Sequence, residues 1–590
     1  MATMITDAPF LLLEDARGAE AVPARLYTEP AGIVATGEPG EVRGCLERLR
    51  AAQHGGLHAA GFLSYEAGHS LEPKLDPLRR TPEPHAPPLL WFGLFKSFRA
   101  LSPTAVTGLL PDPLSAYVTA PRPLVTQRNH EAAVERVKRH IEAGNIYQAN
   151  LTFAAEAAIA GSPPALYAGL RQRARAGHGG ILFTGEHWLL SLSPELFFAV
   201  AERRVTTRPM KGTAVRGKTP AEDADAAGGL RADPKQRAEN LMIVDLLRND
   251  LARVSTPGTV RVPALFAIET YPTLHQMTST VTAELREGAG AVDVLEAIFP
   301  CGSITGAPKI RAMEIIGEME TGPRGAYTGS IGWIAPDGDA AFNVAIRTLT
   351  IVTGQSRAVI GLGSGIVADS RADDEWRECL AKGAFVADER RFDLIETMRF
   401  DPREGVVELE RHLARMKRSA DALGFVFDRH EARNELQAAT FRIREKKKLR
   451  LLLSRSGALA IECRPMPPPP REPVEVVIVR LPVPADDFRL RHKTSDRSFY
   501  DEAREAAGAF EIVFEDEQGC LTEGSFTNIF VERAGRLVTP PLARGVMPGV
   551  LREQLLADGD AEEGELGYAD LLGGFFIGNS LRGLMRAIVV

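Results

Sequence analysis

The sequence predicts mixed α+β or α/β layers on a large core, and three observations carry that expectation. Some segments repeat apolar residues at helical spacing, others hold short continuous apolar runs, and the overall composition is ordinary. Of 590 residues, 44% are hydrophobic and 25% charged, as in a folded soluble chain and unlike a disordered or collagen-like one. At roughly 150 residues each, that length makes about four domain-sized units.

Taken in order, residues 129–143 place Val134, Val137 and Ile141 at helical spacing, with acids early and Gly144 as a stop. Residues 189–192 are short, apolar and strand-like. Residues 233–254 put Leu241, Val244, Leu247 and Leu251 on one helical stripe, and residues 358–362 read as another strand. If 373–382 is helical, Glu375 and Glu378 share a face. Residues 408–425 space Leu413, Met416, Ala420 and Leu423 as an amphipathic helix does, and 474–479 is again strand-like. Between them, residues 464–473 (RPMPPPPREP) contain four consecutive prolines, which must be extended and cannot join a central strand. We read that segment as a stiff linker between two small lobes. A second seam falls near 387–392, where the motif vocabulary changes. No repeat of 20 to 50 residues is present, which disfavours a solenoid.

Composition narrows function. Seventy basic against 77 acidic side chains give a net charge of −7, without the basic excess of a nucleic-acid binder. The most basic run, residues 442–450 (RIREKKKLR), leads into an apolar stretch and reads as a helix end and an exposed strand start carrying solvated charge. Five scattered cysteines, none in a CxxC pair, exclude a disulfide scaffold and a Cys-based zinc site and fit a reducing compartment. The N-terminus carries acids where a signal peptide needs positive charge. No stretch approaches the roughly 18 apolar residues of a membrane span. The expectation is a cytoplasmic protein that handles small molecules.

Two features point to anions and metals. Carboxylates at 239, 375 and 378 could hold Mg²⁺, which keeps waters and accepts substrate oxygens. Residues 301–309 (CGSITGAPK) run from a turn into a helix, with Pro308 suited to its first turn and free N–H groups offered to an anion. Residues 361–365 (GLGSG) could let backbone approach a ligand closely, although two tight turns would account for both segments.

Together, several blocks carry a resemblance that single motifs do not. They are 145–152 (NIYQANLT), 193–195 (SPE), 208–213 (RPMKGT), 239–251 (ENLMIVDLLRNDL), 275–281 (HQMTSTV), 299–316 (FPCGSITGAPKIRAMEII), 327–332, 342–348 (FNVAIRT) and 361–370 (GLGSGIVADS). In this order they resemble the catalytic domain of chorismate-utilising enzymes, the group of anthranilate synthase and aminodeoxychorismate synthase component I. That resemblance implies a domain over 1–387, with an N-terminal part to about 120 and a catalytic core over 125–385. It implies Mg²⁺ at Glu239 and Glu378 with Glu375 nearby. It also implies chorismate contacts from His275, Thr305, Tyr327, Arg347, Lys382 and the backbone of Gly361, Gly363 and Gly365. Residues 61–68 (GFLSYEAG) resemble an N-terminal strand of the same family, but this part looks shortened and tryptophan binding is not carried over.

The third place of PxxGT is alanine in anthranilate synthases and lysine in aminodeoxychorismate synthases; here it is Lys211. The resemblance implies that Lys211 attacks ring carbon C2 as the 4-hydroxyl leaves, that ammonia then enters at C4 and expels the lysine, and that Glu195 moves the protons. Such a nucleophile must be neutral, and at an ordinary pKa only about one lysine in 2,500 is neutral at pH 7, so the site must depress it. No cysteine sits on a Gly-x-Cys-x-Gly elbow, so ammonia is expected from a separate glutamine amidotransferase.

From about 390 onward, 392–398 (FDLIETM), 410–415 (ERHLAR), 491–497 (RHKTSDR), 511–531 (EIVFEDEQGCLTEGSFTNIFV), 539–552 and 576–582 resemble fold-type IV pyridoxal-phosphate enzymes. That group holds branched-chain and D-amino acid aminotransferases and 4-amino-4-deoxychorismate lyase. The resemblance implies a two-lobed domain over 390–590, with a small lobe over about 390–465, the proline linker over 465–473 and a large lobe over about 474–590. It implies Lys493 bound to pyridoxal 5′-phosphate as an imine and Glu523 at the pyridine nitrogen. Arg415, the Gly549–Val550 backbone and Ser580 would hold the phosphate, and a homodimer is the usual assembly. Fusion to the first domain favours a lyase that releases 4-aminobenzoate. Two alternatives stay open at this level: an anthranilate- or isochorismate-type synthase joined to an aminotransferase, and a degenerate ligand-binding subunit.

Overall fold

Long antiparallel strands dominate the computed structural model, which describes residues 8–18, 21–81, 83–270 and 274–590. Its contacts separate two units: residues 1–111, 120–157 and 167–387 form the first, and residues 112–119, 158–166 and 388–590 the second. Among the described residues no helix is long and apolar enough to cross a membrane.

The first unit holds two sheets. One runs, in spatial order, Gly306–Ala307, Gln148–Ala160, Arg357–Ile366, Thr348–Val352, His187–Ser193, His178–Phe183, Phe10–Glu14, Ala24–Tyr27 and Arg99–Leu101. The other runs Met210–Val215, Leu274–Glu284, Arg204–Arg208, Leu196–Ala201, Ala340–Asn343, Ser330–Ile334, His58–Leu63, Leu90–Phe95 and Gly32–Thr36. A core containing Phe92, Phe198, Phe342, Val244, Leu247, Leu251 and Leu295 lies against the second sheet. The helix Pro234–Ala252 starts where Asp233 accepts from the amides of Lys235 (2.8 Å) and Gln236 (3.1 Å), with proline at its first position. Its buried stripe is Asn240, Ile243, Val244, Leu247 and Leu251, whereas Leu241, expected on that stripe, is exposed. The helix is turned about its axis so that Ile243 takes the inward place.

Two local expectations are corrected. Residues 361–365 are not a turn but the interior of the strand Arg357–Ile366. There glycine is required by close neighbours, since a Cβ at Gly361 would sit 1.9 Å from the Tyr327 ring. Pro308 lies at the N-cap of the helix Lys309–Met319 rather than in its first turn, and that helix is preceded by the short strand Gly306–Ala307.

In the second unit a four-stranded sheet runs Gly405–Val406, Leu394–Asp401, Lys447–Leu453 and Leu459–Pro465. The helix Leu409–Leu423 covers one face, burying Leu413, Met416, Ala420 and Leu423 as its spacing predicts, and Gly424 ends it at φ 71°. An eight-stranded sheet runs Leu521–Gly524, Glu511–Glu515, Val474–Arg480, Gly583–Val589, Phe575–Asn579, Asn528–Arg533, Arg536–Thr539 and Ala561–Glu563. Within this unit, Tyr117 packs edge-on against Phe392 and tilted against Phe488, while the Arg455 guanidinium donates to its hydroxyl.

Candidate active sites

In the first unit, Lys211 stands on the strand Met210–Val215 and Glu195 immediately before the strand Leu196–Ala201. Glu195 is buried, and its Oε1 accepts from the Ser303 hydroxyl at 2.8 Å. Burial raises its carboxyl to about 7, against the pull of the Ser303 hydroxyl and the Lys211 charge. A group poised at that value can both give and take a proton near neutrality. Part of Lys211 remains exposed, but dense surroundings push its amine down; the Lys382 charge adds to this, and Glu239, Glu195 and Glu378 oppose it. The direction is the one a lysine nucleophile needs.

Sequence reasoning passed over two neighbours. Gln148 is 1% exposed, and neither its amide oxygen nor its amide nitrogen has a partner. A Cβ at Gly365 would lie 2.7 Å from that nitrogen and 3.1 Å from Lys211 Nζ, so the unpaired amide stands beside the amine. Ser303 is the other: its hydroxyl reaches Glu195, whereas the Thr305 hydroxyl is spent on the carbonyls of Cys301 and Gly302 at 3.2 Å each. Both lay inside motif blocks already quoted, but spacing does not show which hydroxyl turns inward.

The remaining expected contacts divide. The Tyr327 ring is packed on Gly361, and Lys382 Nζ donates to the Gly363 carbonyl at 3.0 Å. Arg347 sits at φ 50° and its carbonyl accepts from Leu192 N. His275 is held by protein partners on both nitrogens, Asp223 Oδ1 at 2.9 Å and Thr270 Oγ1 at 3.0 Å. Asp223 itself takes a two-pronged contact from Arg216.

Among the described residues, no group of three or more His, Cys, Asp or Glu side chains is arranged to hold a metal. The expected trio of Glu239, Glu375 and Glu378 therefore does not close into a cluster, because Glu378 turns along its helix to Lys382 Nζ at 2.7 Å. Burial raises the Glu239 carboxyl, Lys211 and Lys235 lower it, and Asp369 and Glu378 raise it further. The Glu378 charge thus reaches Glu239, and carboxylate oxygens are the hard donors that Mg²⁺ takes.

In the second unit a cavity is lined by Arg415, Lys493, Glu523, Gly549, Val550 and Ser580, together with Arg497 and Tyr500. All six expected residues meet there. Lys493 follows the short helix Phe488–Arg491 and is tied to the small sheet by Ile395 N, which donates to its carbonyl at 2.8 Å. Burial lowers its amine to about 7, with the charges of Arg415 and Arg497 adding to the shift. Glu523, 2% exposed, accepts from the Tyr500 hydroxyl at 2.5 Å and from Met547 N at 2.7 Å, and burial raises it to about 7. Glu396, which sequence reasoning did not single out, accepts from Arg415 Nε (2.9 Å) and Nη2 (2.6 Å) and from His412 Nδ1 (2.6 Å).

These groups fit pyridoxal phosphate. A buried arginine, the start of the helix Val550–Asp558 and a serine hydroxyl make an anion cradle, a lysine amine stands within it, and a buried carboxylate is held by two donors. The glycine at 549 is needed for this, since a Cβ there would meet Asn528 Oδ1 at 1.9 Å.

Fold and site together define an enzyme of the chorismate-utilising class with a class IV aminotransferase-like unit attached. The sequence matches the chorismate binding enzyme family over residues 9–388, and the chain belongs to that family. Residues 393–588 match amino-transferase class IV, which implies pyridoxal phosphate. Aminodeoxychorismate synthase component 1 of Escherichia coli is 43% identical over 258 residues, covering 44% of this chain and 56% of the relative. The Bacillus subtilis protein of that name is 42% identical over 257 residues, covering 44% and 54%. Anthranilate synthase component 1 of Haloferax volcanii is 41% identical over 265 residues, covering 45% and 51%. The matched region therefore spans a little over half of these relatives. Among solved structures, anthranilate synthase component I from Streptococcus pneumoniae superposes with a TM-score of 0.54 at 26% identity, covering 62% of this chain and 93% of that one.

Proposed function

We propose that the chain is a bifunctional enzyme of 4-aminobenzoate synthesis. Its first unit would convert chorismate and ammonia to 4-amino-4-deoxychorismate, and its second would remove pyruvate to leave 4-aminobenzoate. The observation that carries the first half is Lys211, a lysine whose amine is held below its ordinary pKa in a site shared with Glu195. Lys211 Nζ bonds to ring C2 as the C4 hydroxyl leaves with a proton from Glu195. Ammonia then bonds to C4 and Lys211 departs, the surplus ammonium proton returning to Glu195. Gln148 faces the reacting amine with an unpaired amide, and Glu239 and Glu378 would hold Mg²⁺ against a substrate carboxylate. Ammonia would come from a separate glutamine amidotransferase in a cytoplasmic setting.

In the second unit pyridoxal phosphate, when bound, supplies the electron sink for carbanion chemistry. Arg415, the Gly549–Val550 backbone and Ser580 would hold its phosphate and Glu523 its pyridine nitrogen. Lys493 would take the C4 proton of the substrate, and loss of pyruvate makes the ring aromatic. Fusion to the first unit favours this lyase over an aminotransferase, and a homodimer would be its assembly.

The second reading, an anthranilate-type first unit, draws on relatives such as that of Haloferax volcanii. Lys211 stands against it. Product analysis from chorismate, ammonia, Mg²⁺ and pyridoxal phosphate separates the two. Lys493→Ala should accumulate the amino intermediate and Lys211→Ala should abolish the first step. Release of 4-aminobenzoate at the normal rate by Lys493→Ala would end the lyase assignment.

A further inference from the structure

The first unit holds a cavity of about 180 Å³ that is lined by neither Lys211 nor any of the expected chorismate contacts. Its walls come from two short 3₁₀ helices, Tyr65–Ser70 and Pro73–Leu78, and from the helix Lys309–Met319 with the turn that follows it. Two buried side chains reach this cavity with hydrogen-bonding capacity unspent. Tyr65 is 2% exposed and its hydroxyl has no partner; His69 is 6% exposed and neither ring nitrogen has one. Their rings meet edge-on at 5.6 Å. Burial and the charges of Arg324 and Arg80 hold the His69 imidazole at about 4. Near neutrality it is therefore uncharged, with one nitrogen to donate and one to accept. Leaving such groups unpaired is costly, so this end of the cavity suits a polar partner.

The buried charges of the wall are already answered. Arg324 grips Glu320 through Nε at 2.9 Å and Nη2 at 2.7 Å. Glu66 accepts from the backbone amides of Arg324 at 2.6 Å and Gly325 at 3.1 Å. Arg80 differs: it is exposed at the rim and, among the described residues, makes no ion pair, whereas Arg79 beside it is paired with Asp76 at 2.6 Å. One free guanidinium takes one carboxylate. A doubly charged anion is disfavoured, because Glu66 and Glu320 stand in the same wall. Leu78, Met313 and Ile316 add apolar surface suited to a flat ring. The cavity thus asks for a ring with a single carboxylate at one end and a hydrogen-bonding group at the other.

We propose that this cavity binds a 4-substituted benzoate, with its carboxylate on Arg80 and its 4-hydroxyl or 4-amino group on Tyr65 and His69. The ligand class follows from the cavity itself. Its meaning rests on the function proposed above, because 4-aminobenzoate has this form and the first unit would then carry a site for the product of the whole chain.

The test is equilibrium dialysis of the full chain, loaded with pyridoxal phosphate, against radiolabelled 4-hydroxybenzoate, which has no amine to condense with the cofactor. Arg80→Ala should weaken uptake at one site per chain by about tenfold or more, as for a lost charge-assisted contact. Arg79→Ala, which removes a guanidinium already paired, should leave that uptake unchanged. At the Arg80-dependent site, benzoate should bind wild type about fivefold less tightly than 4-hydroxybenzoate. The double substitution Tyr65→Phe, His69→Leu should remove that difference while the thermal midpoint holds or rises. The inference is overturned if wild type and Arg80→Ala take up 4-hydroxybenzoate alike, if Arg79→Ala loses the site as well, or if the preference for the 4-hydroxyl survives the double substitution. If uptake behaves as expected but wild type releases no 4-aminobenzoate from chorismate, the product reading fails and the binding site stands.

Discussion

The Tyr500 hydroxyl donates to Glu523 Oε1 at 2.5 Å, deep in the second unit, while Met547 N donates to Oε2 at 2.7 Å. Burial drives the Glu523 carboxyl toward the neutral form, and these two donors resist it. Tyr500→Phe removes one of them, so Glu523 should titrate above its present value of about 7. The acid limb of the second unit's pH–rate profile should therefore move to higher pH, and cofactor affinity should fall by about tenfold for one lost charge-assisted bond. A pH profile that does not move would show that Tyr500 merely fills space.

Ser303 stands to Glu195 as Tyr500 stands to Glu523. Its hydroxyl lowers a carboxyl that burial has raised to about 7. Ser303→Ala should raise that value further, so Glu195 keeps the proton that the first step requires up to higher pH. The alkaline limb of the chorismate- and ammonia-dependent reaction should therefore move to higher pH. Ser303→Thr, which restores a hydroxyl, should recover much of the shift. Thr305→Ala, whose hydroxyl serves only Cys301 and Gly302, should leave the profile in place and cost about 1 kcal/mol of stability.

What was legible in the sequence follows from how local each cause is. The helix Leu409–Leu423 could be read because one face meets a core and the other meets water, which sets a period in the chain itself. The Lys493 cavity could be expected only through the resemblance of its motif blocks, because alone a lysine among Arg489, Arg491, Asp496 and Arg497 reads as solvated charge. Residues 361–365 misled because glycines mark both turns and close approaches, and the Tyr327 ring that forces the approach comes from another segment. Ser303 and Thr305 differ only in which way a buried loop turns them. That Arg399 and Arg464 stand opposite Lys448 in the small sheet depends on register between distant strands, which no single segment encodes.

Tyr117 shows the same limit and yields its own prediction. It is 1% exposed and belongs to the core that holds Phe392, Phe488 and Leu423, although about 270 residues separate it from that part of the chain. Tyr117→Ala should destabilise the second unit by about 3 kcal/mol, the usual cost of emptying a buried aromatic position. A fragment of residues 388–590 should unfold at a lower temperature than the same unit in the full chain, because it lacks residues 112–119 and 158–166. Equal midpoints followed by bound-cofactor absorbance would contradict this.

Glu396 supplies the clearest acid sensitivity. Burial alone would raise it, but the Arg415 charge and the His412 hydrogen bond outweigh burial and hold it at about 2. A carboxyl depressed in the folded state stabilises that state above its ordinary pKa of 4.5 and loses the contribution as pH falls through the folded value. The second unit should therefore lose about 3 kcal/mol between pH 5 and 2 from this one group. Glu396→Gln leaves Arg415 buried without its carboxylate, which should cost about 3 kcal/mol at neutral pH. The variant should then be less sensitive to acid than wild type over that window, since the titrating group is gone. Cofactor titration adds a second readout: without Glu396, Arg415 keeps only the Pro548 carbonyl at 3.1 Å to aim it, and phosphate-dependent binding should weaken. If the variant instead kept wild-type cofactor affinity and the same acid unfolding curve, Glu396 would be a passive partner and Arg415 would be positioned by packing alone.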